Sequence, residues 1–267
     1  TGASGSFSSI EDYVYELNFK GAQAAVKAIS LFHSDSSSNF RPLVAGAVGP
    51  TGKMLSLGLD AENPHIREMY FDTLANAYRT QVRGLVDGGA DLIVVETIFD
   101  PINAKCALYA IRQVEREKGI RIPVIVSATA NDKAGHLLSG QSLEAFFVSI
   151  RNYISSGNVV SFGLNCSFGT EAMGSILGNF ANGALSGSSI PVALHIYPNA
   201  GLPDELGNYD ETPEFTASRI AGLARNGLLN IVGGCCGTTP DHVRRLFDLR
   251  LDDCLIDDRK SDCNPTI

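Results

Sequence analysis

The segment Asp91–Lys105, DLIVVETIFDPINAK, decides the fold that this sequence predicts. Its first part, Asp91–Glu96, is almost wholly apolar, which is typical of a strand buried on both faces of a parallel sheet. Its second part begins a helical pattern that covers Ile102–Lys118 and is closed by Gly119. A buried strand followed by a helix is the repeating unit of an α/β fold.

The same alternation of apolar runs and helical patterns continues on both sides of this segment. It predicts six strands, over residues 42–48, 91–96, 122–128, 159–165, 191–195 and 228–232. It predicts seven helices, over residues 10–32, 71–87, 102–118, 142–154, 171–181, 213–226 and from 240 onward. Parallel strands of this kind form either an open doubly wound sheet or a closed eight-stranded barrel.

The reactive side chains favour the barrel, because they follow strand ends, where barrel enzymes build their sites. These residues are Glu96, Asn165, Cys166, Cys235 and Cys236. We therefore expect a TIM-type (βα)8 barrel over residues 10–250 that lacks its first strand, first helix and second strand. Residues 1–9, rich in serine and glycine, are expected to form a flexible leader, and residues 251–267 a polar tail.

Composition excludes several classes of function. The formal net charge is −8, whereas a nucleic-acid-binding face is basic. No apolar run approaches the roughly 18 residues of a membrane-spanning helix, and the N-terminal residues do not resemble a signal peptide. We expect a soluble, cytoplasmic protein without nucleic-acid or membrane partners. Six cysteines in 267 residues are too sparse for a disulfide scaffold.

Three of the cysteines predict a metal site. Cys166 ends one strand, and Cys235 and Cys236 end the strand two units later within GGCCG. Strand ends of a barrel point into the same mouth, so the three thiolates can meet at one cation. Soft thiolates favour zinc, and three protein ligands leave a fourth position open for a substrate thiol. The alternative is that cysteines merely pack in the core, which is our interpretation of Cys106, Cys254 and Cys263.

Several motifs resemble the homocysteine S-methyltransferase family. They are GLNCSFG (163–169), GGCCGTTPDH (233–242), VGPT (48–51), DLIVVETIFDPINAK (91–105), LSGQSLEAF (138–146) and YPNAGLPDELGNYDETPE (197–214). Within the family, the chain is most similar to the N-terminal homocysteine-binding module of cobalamin-dependent methionine synthase. The resemblance implies a β/α barrel in which zinc on Cys166, Cys235 and Cys236 binds homocysteine as a thiolate. The thiolate then takes a methyl group from methylcobalamin carried by another module and becomes methionine.

The resemblance also implies substrate-binding residues and partners. Glu96 matches the carboxylate that holds the amino group of homocysteine, and Asn199 an asparagine that occupies the fourth zinc position without substrate. Asn165 directly precedes the first cysteine, and we include it among the substrate-binding residues as a side chain that supports the metal ligands. The implied partners are cobalamin- and folate-binding modules of the same or another polypeptide. The Asp-Gly segment of the family's first strand has no match in residues 1–9.

Two other functions remain open at this point. The methyl donor can instead be S-methylmethionine or betaine, or the chain can be a non-catalytic zinc-binding fragment. Among the remaining polar residues, His195 is interpreted as a wall residue of the fold. An acidic loop contains Asp204, Glu205, Asp210, Glu211 and Glu214. A solvated loop is the default interpretation, and docking of a partner module the alternative.

Overall fold

The structure, a computed structural model, describes residues 9–35, 40, 42–58, 60, 62–63, 65–186, 190 and 192–248. The predicted leader, apart from Ser9, and the predicted tail with Cys254 and Cys263 lie outside the described residues. No helix in the described part is long and apolar enough to cross a membrane.

Helices and strands alternate in the predicted order. The helices are α1 (Ile10–Asp35), α2 (Phe71–Asp87), α3 (Pro101–Lys118), α4 (Leu143–Ser155), α5 (Thr170–Phe180), α6 (Pro213–Arg225) and α7 (Pro240–Asp248). A π-helical turn, Ala181–Leu185, extends α5. The strands are β1 (Ala45–Val48), β2 (Leu92–Ile98), β3 (Val124–Ala128), β4 (Val159–Asn165), β5 (Ala193–Tyr197) and β6 (Ile231–Val232).

The strands follow one another in the order β1-β2-β3-β4-β5-β6. The pairs β1–β2, β4–β5 and β5–β6 are parallel, with Ala45 opposite Leu92 and Gly163 opposite His195. Sequential parallel strands joined by helices are typical of β/α barrels. The predicted α/β class is confirmed, whereas the identity of the missing barrel elements stays a prediction.

The chain divides into two compact units. The first unit comprises Thr1–Glu96 and Asp100–Ile125. In it, α2 packs against both α1 and α3. Asp100 caps the start of α3, where its carboxylate accepts from the backbone N–H of Ile102 at 2.9 Å and of Ser56 at 2.8 Å. The cap makes α3 begin directly after β2, as the strand–helix segment predicts.

The second unit comprises Thr97–Phe99 and Val126–Ile267 and holds the four remaining helices. Its core contains four phenylalanines whose neighbouring ring centroids lie 5.2–5.5 Å apart. They are Phe146, Phe147, Phe162 and Phe180, from α4, β4 and α5. Phe162 of β4 therefore packs against aromatic rings of both helices.

Candidate metal centre

Three cysteines that are distant in the sequence lie together in the second unit. Cys166 directly follows β4, and Cys235 and Cys236 come shortly after β6. The Sγ atoms of Cys166 and Cys236 are 3.8 Å apart, and those of Cys235 and Cys236 are 3.9 Å apart. All three Sγ atoms lie within 4.8 Å of one another. The structure therefore brings together the three cysteines that the sequence indicates.

The spacing of these sulfur atoms fits a tetrahedral metal site. Zinc binds thiolates at about 2.3 Å, so two sulfurs of a tetrahedral site lie roughly 3.8 Å apart. The observed separations of 3.8 and 3.9 Å match this distance. They exceed the roughly 2.05 Å of a disulfide bond, and all three cysteines are free. The cluster can hold a zinc ion with three ligands and leave one coordination position open.

The turn after β4 has an uncommon backbone conformation. Among the described residues, the non-glycine residues with positive φ are Thr97, Cys166 and Ser167, at 55°, 64° and 65°. Such conformations cost about 1–3 kcal/mol each and cluster at functional sites. The N–H of Cys166 donates to the carbonyl of Tyr197 at 3.1 Å, and that of Phe168 donates to the carbonyl of Cys166 at 2.8 Å. These bonds hold the Cys166 thiol beside the other two.

The Cys235-Cys236 turn is held from two directions. The N–H of Cys235 donates to the carbonyl of Pro198 at 2.8 Å. The hydroxyl of Thr238 donates to the carbonyl of Cys235 at 2.7 Å. The N–H of Ala200 donates to the carbonyl of Cys236 at 2.9 Å. Since Pro198 and Ala200 belong to the loop after β5, this loop and the cysteine turn are bound together.

Hydrogen bonds between the thiols concentrate negative charge on one of them. The Cys235 thiol donates to the Cys166 sulfur, and this is the main reason why the pKa of Cys166 lies well below its usual range. The same bond, together with burial, raises the pKa of Cys235. A cation that binds here would take the place of the proton shared between the two sulfurs.

Asn165, the last residue of β4, lies against the cluster and is 2% exposed. Its Oδ1 accepts from the N–H of Thr97 at 2.9 Å, and its Nδ2 donates to the Thr97 hydroxyl at 2.8 Å. The same Nδ2 donates to the Cys235 Sγ at 3.9 Å. Asn165 therefore links the strained residue Thr97 to the cluster, where its amide helps to stabilise charge on sulfur.

Asn199 bridges two of the cysteines and is 4% exposed. Its Oδ1 accepts from the N–H of Cys236 at 3.1 Å. Its side chain also donates to the Cys166 sulfur, which adds to the lowering of the pKa of Cys166 by Cys235. Asn199 thus lies beside the thiols, and its occupation of a fourth metal position stays a prediction.

Glu96 lies in β2 and is half-buried. It belongs to the first unit, whereas the three cysteines belong to the second. Its role in holding a substrate amino group therefore stays a prediction. His195 in β5 is fully buried, in agreement with its interpretation as a wall residue. Cys106 is buried in α3 and donates to the carbonyl of Phe71 at 3.7 Å.

Tyr209, within the motif of residues 197–214, is a further residue of the site that the sequence did not single out. A Cβ atom added to Gly237 would lie 2.2 Å from the Cγ and 2.4 Å from the Cβ of Tyr209, so the tyrosine packs directly onto this glycine. Gly237 follows Cys236 and has a φ of 79°. Desolvation raises the pKa of Tyr209, and the charge of Cys236 raises it further. The phenol is therefore a neutral hydrogen-bond donor beside the cysteines.

The acidic loop contains two different kinds of carboxylate. Asp204 is exposed and stabilises its own turn, where it accepts from the N–H groups of Leu206 and Asn208 at 2.9 and 2.8 Å. Glu211 is half-buried and accepts from the hydroxyl of Thr170 at 3.4 Å. Burial raises the pKa of Glu211, and its hydrogen bonds act in the opposite direction. Asp204 thus fits the default interpretation as a solvated loop, whereas Glu211 is half-buried and hydrogen-bonded.

The strand order and the three converging thiols define a class, a β/α-barrel type of protein with a cysteine-based metal-binding site. The chain belongs to the homocysteine S-methyltransferase family, whose sequence model matches residues 3–249. The family predicted from the motifs is thereby confirmed, and membership supports a methyltransferase.

Crystal structures of the homocysteine methyltransferase MmuM from Escherichia coli share the fold. The apo form is 24% identical, with a TM-score of 0.64 over 93% of this chain and 78% of that one. The oxidized form is 22% identical, with a TM-score of 0.68 over 90% and 72%. The metallated form is 24% identical, with a TM-score of 0.63 over 88% and 70%.

Proposed function

We propose that this chain binds zinc through Cys166, Cys235 and Cys236 and presents homocysteine as a thiolate for methyl transfer. The observation that carries this proposal is the sulfur spacing of 3.8 and 3.9 Å, which suits three ligands of one tetrahedral ion. When bound, the ion supplies an open position at which a thiol loses its proton at neutral pH.

The residues around the cysteines suit the activation of a sulfur nucleophile. Asn165, Asn199 and Tyr209 each offer a donor group to the cysteine sulfurs. Hydrogen bonds to sulfur spread the negative charge of three thiolates, which offsets the cost of holding them close together. Cys236 is exposed, so a substrate and a methyl donor can approach the cluster from solvent.

The family supports the substrate assignment, and the motifs support the assignment of the donor. Homocysteine is the proposed methyl acceptor, with Glu96 as the carboxylate that holds its ammonium group. Methylcobalamin, carried by a separate module, is the proposed methyl donor, and methionine is the product. Cobalamin- and folate-binding modules are then the proposed partners of this chain.

Metal analysis tests the first part of the proposal. We expect one zinc ion per wild-type chain and none retained stoichiometrically by C235S. Zinc-edge X-ray absorption should count three sulfur ligands, and four after homocysteine is added. C106A is the matched control, since Cys106 is a buried cysteine of α3 and not one of the three proposed ligands. This variant should keep one zinc ion. Stoichiometric zinc in C235S would show that the ligand assignment is wrong.

Transfer assays with homocysteine in excess test the donor. Methylcobalamin, S-methylmethionine and betaine are supplied separately to the zinc-loaded chain, and methionine is measured. We expect methionine from methylcobalamin alone. Product from S-methylmethionine or betaine would assign the chain to another reaction of the same family. Zinc binding without product from any donor would identify a non-catalytic zinc-binding chain.

A further inference from the structure

Glu211 differs from the other carboxylates of the acidic loop, because its hydrogen-bond partners lie in several different segments of the chain. Its carboxylate accepts from the hydroxyls of Thr170 and Thr216, each at 3.4 Å. By contrast, Glu214 is exposed and makes an ion pair with Arg245 at 3.8 Å. A half-buried carboxylate with convergent donors is a structural connection and not a solvated charge.

The first connection reaches the turn that holds Cys166. Helix α5 begins at Thr170, and its N-cap Gly169 offers no side chain to the free N–H groups of the first turn. Glu211 supplies this acceptor from outside the helix, and the backbone N–H of Thr170 donates to it. A Cβ atom at position 169 would lie 2.3 Å from Glu211 Oε1, so the carboxylate packs directly against this glycine. The carboxylate thus anchors the chain at Thr170, four residues after Cys166.

The second connection reaches Cys236 through the loop after β5. The N–H of Glu211 donates to the carbonyl of Ala200 at 3.0 Å, and the N–H of Ala200 donates to the carbonyl of Cys236 at 2.9 Å. Asn199, whose side chain touches Cys166 and Cys236, directly precedes Ala200. The backbone of Glu211 therefore holds the segment that lies between the two cysteine turns.

The third connection passes through His242 at the start of α7. The Nε2 of His242 donates to the carbonyl of Glu211 at 2.9 Å, and its Nδ1 accepts from the N–H of Thr239 at 3.1 Å. Since Nδ1 accepts, the proton of the neutral ring is on Nε2. His242 is 5% exposed and lies six residues after Cys236. Glu211 is therefore bound to both cysteine turns.

We propose that Glu211 is a positioning residue that holds the Cys166 turn and the Cys235-Cys236 turn at the spacing a metal ion needs. This inference rests on the proposed function, because it assigns Glu211 a role in metal binding by the three cysteines. The residue touches no thiol itself. Its carboxylate acts through Thr170 and Thr216, and its backbone acts through Ala200 and His242.

Cobalt(II) titration tests this role, because thiolate-to-cobalt absorption reports both affinity and geometry. We expect E211A to bind cobalt at least tenfold more weakly than the wild type, with reduced charge-transfer intensity per bound ion. E211Q keeps an oxygen that accepts from the Thr170 hydroxyl, so it should recover most of the affinity. E214A removes an exposed carboxylate of the same region and should bind as the wild type does.

The outcomes separate this inference from the proposed function. Cobalt and zinc binding by neither wild type nor variants would overturn both. Wild-type affinity and spectrum in E211A, even with a lower thermal midpoint, would overturn the role of Glu211 alone. If E211A does not fold, T170V removes the same hydroxyl bond from the other side, and its cobalt affinity decides. An unchanged affinity in T170V would then refute the inference.

Discussion

Replacement of His195 by asparagine is expected to reduce the sensitivity of the fold to acid. His195 is fully buried in β5, and its Nδ1 lies 2.8 Å from the Ser161 hydroxyl. Its Nε2 has no hydrogen-bond partner in the described part of the chain. The ring stacks on Tyr197, with the centroids 4.8 Å apart. Burial lowers the pKa of His195 to about 3, because no group compensates the charged ring.

The sign and size of the effect follow from this pKa. The ordinary pKa of a histidine is 6.5, so the unfolded chain binds a proton between pH 6.5 and 3 that the folded chain does not bind. The neutral ring is the folded form, and its contribution to stability is complete above pH 6.5 and is lost as the pH falls. Integration from pH 7 to pH 5 gives a loss of about 2 kcal/mol in the free energy of unfolding.

Urea unfolding at pH 7 and pH 5, followed by circular dichroism with a chelator present, measures this loss. We expect H195N, whose amide replaces Nδ1 but does not titrate, to lose about 2 kcal/mol less than the wild type between the two pH values. H65N is the control, because His65 is exposed, and it should show the wild-type loss. Equal losses in H195N and wild type would refute the reasoning.

The remaining predictions concern a turn, a cap and the cluster. G237A forces a Cβ atom onto Tyr209 at a positive φ, so zinc affinity measured by chelator competition should fall at least tenfold. G222A is the control, because Gly222 on α6 has open space around it, and it should keep the wild-type zinc affinity. A reduced zinc affinity in G222A would contradict the argument. D100A removes two buried acceptor contacts and should lower the free energy of unfolding by about 2–3 kcal/mol, measured in urea. N165A removes a donor to Cys235 and should lower zinc affinity, measured by chelator competition, by less than C235S does.

The predicted bounds of a strand were accurate where the buried apolar run and the residues that pair with a neighbouring strand are the same. For β4, the predicted and observed ranges are both 159–165, because its apolar run ends where the chain turns sharply at Cys166. For β5, the apolar run suggested 191–195, whereas pairing covers Ala193–Tyr197. The difference matters, because the carbonyl of Tyr197 accepts from Cys166. An apolar pattern reports burial, while the ends of a strand depend on its neighbours.

The order of strands and helices and the set of three cysteines can be read from the amino-acid sequence. Both follow from local patterns, since apolar periodicity marks each element and parallel strands place their C-terminal ends at one side. Asn165 and Asn199 were also marked by the sequence, whereas only the tertiary structure brings Tyr209 and Glu211 to the cysteine turns. Tyr209 and Glu211 lie in a loop whose composition predicts only solvation, yet they contact Gly237 and Thr170. These contacts join residues about 30 to 40 positions apart, and no pattern within one segment encodes such a distance.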